Sequence, residues 1–163
     1  MSINAIIMKM EQLLQLHESL LKISKAKTEA LKKGDISELQ SLLLKEKKHS
    51  QAISKLEKDR MEKVSDWYQQ NNFSIGQPSV TDMIGNLENI EDKQKLKDVS
   101  EQFIYTLSEL KQQEKLNNDL TRQSLQFIEF SMNMLQPSLK NMNYGTPTGA
   151  NNSEKRSVFD SKA

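Results

Sequence analysis

The sequence predicts an all-α protein: an elongated antiparallel helical hairpin of coiled-coil type, packed with a third long helix and followed by a disordered C-terminal tail. Three observations predict it. Among 163 residues there are 20 leucines but only four valines, a choice that favours helix over sheet. There are five glycines and three prolines, and no proline precedes Pro78, so chain reversals are few. Large apolar residues recur at three- and four-residue steps through three long stretches.

The first helix is expected over residues 2–33, with a stripe of Ile3, Ile6, Ile7, Met10, Leu13, Leu14, His17, Leu20, Leu21, Ser24 and Leu31. Lys32 and Lys33 suit a helix C-terminus, and Gly34 suits the left-handed residue that ends one. Asp35 then caps the second helix, with Glu38 three residues on in a capping-box arrangement. So short a connection makes the two helices antiparallel neighbours. The second helix, residues 36–70, carries Ile36, Leu39, Leu42, Leu43, Ile53, Leu56, Val64 and Trp67, interrupted by Glu46, Ser50, Glu57 and Arg60. Those polar residues read either as hydrated layers of a partly open coiled coil or as groups that fix register.

Gly76 and Pro78 break the chain over residues 71–81, and Ser79 or Thr81 caps a short helix near 81–90. A third long helix is expected over 92–136, with Leu96, Val99, Phe103, Leu107, Leu110, Leu120, Phe127, Ile128, Met134 and Leu135 in its stripe, stopped by Pro137. The predicted division is therefore a helical bundle over 1–137 and a flexible tail over 138–163, too poor in apolar residues to fold alone.

Composition excludes several function classes. There is no cysteine, hence no disulfide framework, thiolate metal site or cysteine nucleophile, which fits a reducing cytoplasm. The N-terminal MSINAIIMKMEQLL has Lys9 and Glu11 inside its apolar stretch and does not read as a signal peptide. No apolar run is long enough for membrane insertion. Net charge is +1, which lacks the basic footprint of a nucleic-acid binder. Residues 1–70 hold 13 Lys/Arg against 10 Asp/Glu, and residues 71–137 hold 6 against 10, a weak attraction suited to packing within the chain.

Catalytic, cofactor and metal sites are not expected. His17 and His49 face one another across a hairpin centred on Gly34, and with Glu18 or Glu46 a metal site can be drawn. They lack the i, i+4 spacing of a zinc helix, so interface histidines are the favoured reading. The carboxylates are scattered over solvated faces, no concave pocket is expected, and no phosphate loop or nucleophile elbow is present. Lys45-Glu46-Lys47-Lys48 reads as a solvated face.

The informative segment is Leu125–Leu135. Leu125, Ile128, Met132 and Leu135 share one helical face, while Phe127, Phe130 and Met134 share a second. Either both faces are buried within the molecule or in a dimer, or they form an exposed surface whose Met and Phe side chains suit adaptable partner binding. The adjacent tail favours the exposed surface. Two rival classes remain open: a structural coiled-coil protein that self-associates without a client, and an amphipathic membrane-surface adaptor. The adaptor needs Lys/Arg beside the apolar stripe, where 120–137 offers only Arg122.

The assembled pattern resembles the FlgN family of flagellar type III export chaperones. In the hairpin the resemblance rests on Leu13-Leu14, Glu18, Leu20-Leu21, Ala30-Leu31 before Gly34-Asp35, then Leu39, Glu46, Ile53, Leu56-Glu57 and Arg60. It continues through LNNDLTRQSLQFIEFSMNML (116–135), Tyr144-Gly145 and a terminal VFDSKA (158–163) similar to the closing motif of Gram-positive members. One departure is that Glu114 and Asn117 stand where members often have two asparagines three apart. The resemblance implies a cytoplasmic, non-enzymatic chaperone without cofactors. Such a protein binds C-terminal helical segments of the hook-filament junction (hook-associated) proteins, prevents their premature assembly and delivers them to the flagellar export gate. The residues expected to contact a client are Leu125, Phe127, Ile128, Phe130, Met132, Met134 and Leu135, with Tyr144 and Phe159 as tail anchors; a weak homodimer stays open.

Overall fold

The computed structural model describes residues 3–73 and 79–142, with side chains through Gln136. It contains helices α1 (Ile3–Lys33), α2 (Ile36–Gln70), α3 (Val80–Asn86) and α4 (Ile90–Met142), and no strand among the described residues. Of the expected tail over 138–163, residues 143–163 lie outside those residues.

Local chemistry sets each turn. Gly34 sits at φ +67, its N–H donates to the Leu31 carbonyl, and the Asp35 N–H donates to the Ala30 carbonyl at 3.0 Å. These two bonds are a Schellman closure, which needs a left-handed residue between them. The Asp35 carboxylate accepts from the Glu38 N–H at 3.0 Å and so caps α2. Only this half of the capping box forms, because the Asp35 N–H is already committed to Ala30. α2 ends where Asn72 takes φ 55. Ser79 caps α3 by accepting from the Asp82 N–H.

Three expected boundaries are corrected. The short helix stops at Asn86, with Leu87 extended. Asn89 Oδ1 accepts from the Glu91 and Asp92 N–H groups, so it caps α4 and draws Ile90 into the later helix. α4 also continues through Pro137 to Met142. A proline removes its own N–H bond and crowds the carbonyl four residues back, but leaves later N–H groups free to close the next turn. A compact first unit spans Met1–Ser124, and a second begins at Leu125.

Within the first unit α1 is the shared element. Its N-terminal half buries Ile3, Ile6, Ile7, Met10 and Leu14 against Val64, Trp67 and Tyr68 of α2, Met83 of α3, Leu87, and Leu96 and Val99 of α4. Phe73 packs on this cluster, its ring 5.5 Å from Trp67. Burial of each such large side chain contributes about 1.5–3 kcal/mol. Nearer the hairpin turn the apolar core shrinks to Ile23, Ala30 and Leu42. Ile36, Leu43 and Leu107, all expected in stripes, are instead 63%, 47% and 38% exposed; in the turns of the first two it is Leu39 and Leu42 that pack toward α1.

Polar side chains hold that second half together. Lys27 is buried and its Nζ donates to Glu46 of α2 at 2.9 Å and to Glu114 of α4 at 3.1 Å. The Ser24 hydroxyl donates to Glu114 Oε1 at 2.5 Å. The Thr28 hydroxyl donates to Asn117 Oδ1 at 2.5 Å, and Asn117 Nδ2 returns a bond to the Ser24 carbonyl at 2.9 Å. Gln113 Nε2 donates to Thr28 Oγ1. Among the described residues no buried side-chain N or O atom lacks a hydrogen-bond partner, as buried polar groups require. Of the polar residues interrupting the α2 stripe, Glu46 thus bridges helices, Glu57 pairs with Arg60 within α2, and Ser50 is exposed.

Two stability predictions follow from this packing. Gly34→Val should destabilise by on the order of 1–2 kcal/mol; a Cβ there meets no atom within 4 Å, so the cost is backbone strain, and an unchanged melting temperature would refute the turn assignment. Lys27→Ala leaves Glu46 and Glu114 facing each other without their cation. It should cost about 2–4 kcal/mol by denaturant unfolding, somewhat below a fully buried pair because both carboxylates are partly solvated, whereas Lys33→Ala, at an exposed position, should stay within about 0.5 kcal/mol.

Candidate interaction surface

The seven residues expected to bind a client all lie on α4 in the second unit. Their exposure runs from 54% at Ile128 to 71% at Phe127, with Phe130 at 62% and Met134 at 63%. At 100° per residue, Leu125, Ile128, Met132 and Leu135 form one face, and Phe127, Phe130 and Met134 another about 140° away. Gln126, Glu129 and Asn133 fill the polar sector of about 140° between Leu125 and Phe130. A helix apolar over most of its circumference is normally enclosed, yet neither face is covered here. Together the seven side chains expose on the order of 700 Å², more than the roughly 300–600 Å² of the largest patch on a typical monomer. Tyr144 and Phe159 lie outside the described residues.

Elsewhere the first unit contains a concavity that sequence reasoning did not foresee. A cavity of about 250 Å³ is lined by Met10, Leu13, His17, Ile53, Glu57, Arg60, Val80, Phe103 and Leu107. Its polar groups are largely engaged. His17 donates through Nδ1–H to the Leu13 carbonyl at 2.7 Å and sits edge-on to Phe103 at 4.9 Å. The Glu57 carboxylate bonds the Arg60 guanidinium through Nε and Nη2, which raises the arginine pKa above its already high ordinary value. His49 makes a different set of contacts: Nδ1–H donates to the Lys45 carbonyl at 2.9 Å, and Nε2 accepts from the Ser19 hydroxyl at 2.8 Å. The two rings therefore act as interhelical and intrahelical hydrogen-bonding groups. Among the described residues no cluster of three His, Cys, Asp or Glu side chains is placed to hold a metal ion.

The FlgN protein family model matches residues 1–152, a span that takes in the hairpin, α3 and the whole of α4. This chain belongs to the FlgN family. The uncharacterized protein YvyG of Bacillus subtilis (strain 168) is similar to it, 40% identical over 167 aligned positions that cover all of both chains. No solved structure matches it. FlgN-family proteins are flagellar export chaperones that bind hook-associated proteins, so membership gives the chain the coarse role of a chaperone in flagellum biogenesis. Among the described residues no helix is long and apolar enough to cross a membrane.

Membership also gives meaning to the Glu114–Asn117 departure. Both side chains point to α1, Glu114 toward Ser24 and Lys27, Asn117 toward Thr28. They are consumed by packing, whereas the apolar side chains after Ser124 are not. The sequence signal for this FlgN packing was already in the stripes, since Ser24 and Thr28 lie on the face of α1 that carries His17 and Leu21. It was legible as a polar continuation of an apolar face.

Because Phe130 is 62% exposed, Phe130→Ala should change the unfolding free energy by less than about 1 kcal/mol, against the roughly 3–5 kcal/mol of a core phenylalanine. Chemical denaturation of the variant and the parent measures this directly, and a core-sized loss would mean that the face is covered.

Proposed function

We propose that this protein is a cytoplasmic, non-enzymatic export chaperone that holds C-terminal helical segments of hook-filament junction proteins on residues 125–135. It keeps those segments from assembling early and delivers them to the flagellar export gate. One observation carries the reading: a FlgN-family chain leaves seven large apolar side chains of one helix exposed. The exposed area approaches the roughly 800 Å² that each partner contributes to a standard interface. An amphipathic client helix would bury its apolar stripe there as in other helix-in-groove complexes. Met132 and Met134 suit more than one client, since an unbranched thioether repacks against different shapes at low cost.

In this reading Leu125, Ile128 and Leu135 receive one client stripe, and Phe127 and Phe130 supply aromatic anchors. Tyr144 and Phe159 add further contacts to the bound helix. Export clients must stay unassembled, and covering their assembly helices achieves that without any chemistry on the client.

Titration calorimetry of the full chain against a C-terminal helical fragment of a hook-associated protein tests the reading. Phe130→Ala should weaken binding by about 2 kcal/mol, close to thirtyfold, while leaving stability nearly unchanged. Removing 143–163 should weaken binding more modestly. Undiminished affinity in Phe130→Ala and Phe127→Ala would remove the client-surface assignment. A stable dimer that buries this face and binds no fragment would establish the self-associating coiled coil instead.

A further inference from the structure

A second unpartnered face lies on α2, in the first unit, far in sequence from residues 125–135. On a helical projection the solvent side of α2 from Ile36 to Lys58 is made by positions 36, 40, 43, 44, 47, 48, 51, 55 and 58. They hold Ile36, Leu43 and Leu44, four lysines (Lys47, Lys48, Lys55 and Lys58) and two glutamines, all exposed. Ile36 and Leu44 are 63% and 65% exposed. Between Ile36 and Lys58 no acidic residue stands on this side; exposed Glu62 follows on it one turn later.

The acids in and next to this stretch lie off that side, and three of them are ion-paired. Glu46 faces Lys27 at 2.9 Å, Glu57 holds Arg60 within α2, and Asp59 reaches Lys9 of α1 at 3.7 Å. The remaining one, Glu38, lies in the first turn, near the opposite side of the projection. Helical periodicity thus segregates a mixed-charge sequence, and ion pairs hold Glu46, Glu57 and Asp59. A chain of net charge +1 acquires a cationic helix face with large apolar side chains at one end.

We propose that this face of α2 binds the surface of an anionic lipid bilayer, with the helix lying in the plane of the interface. The lysines would meet anionic headgroups while Ile36, Leu43 and Leu44 enter the boundary between headgroups and acyl chains. That pairing of exposed large apolar residues with acid-free cationic positions is the composition of interfacial helices. A purely electrostatic partner such as duplex nucleic acid accounts for the lysines but gives the leucines no role. The face is too polar for insertion, so binding is peripheral and reversible. The inference is independent of the client surface, and its test contains no client.

Sedimentation of the full chain with phosphatidylcholine vesicles containing phosphatidylglycerol, and with phosphatidylcholine vesicles alone, measures the effect. Binding is expected to the anionic vesicles only, and to weaken as salt is raised. Lys47→Glu/Lys48→Glu should lower the partition coefficient at least about tenfold. Ile36→Ser/Leu44→Ser should lower it about tenfold or more and leave a residual attraction that salt abolishes. All four side chains are exposed, so melting temperatures should match the parent and confirm that the variants fold. Absence of binding to anionic vesicles at low salt overturns the proposal. So does binding that is indifferent to Ile36→Ser/Leu44→Ser, or binding to a DNA duplex as tight as to the vesicles, because either result reduces the face to a general polyanion attractor.

Discussion

A single ammonium group organises the half of the molecule that has little apolar core. Lys27 lies on the central helix, and its three N–H donors reach one carboxylate on each flanking helix, Glu46 on α2 and Glu114 on α4. Burying that cation is costly unless both partners are in place. Its position therefore fixes the axial register of α2 and α4 on α1 together. The Ser24, Thr28, Gln113 and Asn117 bonds extend the same registration by one turn. Apolar contacts tolerate sliding by a fraction of a turn, whereas a three-helix ion and hydrogen-bond junction does not.

This arrangement divides the work along α1. The first half is held by burial, with Ile6, Leu13, Met83 and Leu96 almost wholly removed from water. The second half is held by polar geometry, which needs few large side chains. Leucines that a fully apolar bundle would consume are consequently left on the outside of α2 and α4. The FlgN-family chain carries more apolar surface than its own fold buries, and this surplus is the physical basis of a binding protein.

The acidic residues matter as much as the leucines. The carboxylates paired with Lys27, Arg60 and Lys9 all lie off the outer side of α2. A face that is mixed in sequence becomes cationic in space. Internal registration and the pairing of the acids beside the outer side of α2 are two results of one set of contacts.

Local chemistry made much of this legible in the sequence. Gly34, Asp35, Ser79 and the leucine periodicity act within a few residues, so the hairpin turn, the helix type and the two faces of Leu125–Leu135 can be read without a partner in view. Boundaries that depend on competition were not legible: Asn89 captured Ile90 for α4, and α4 ran on past Pro137. Burial was the larger omission. Whether Lys27 or Leu44 is inside depends on what the neighbouring helix presents at that level, and the spacing of residues along one helix carries no information about the other. The sequence by itself determined that this chain makes long helices and has apolar side chains to spare. Only the tertiary structure decided which ones are spare, because exposure is a property of helix pairs and the Lys27 junction sets how those helices meet.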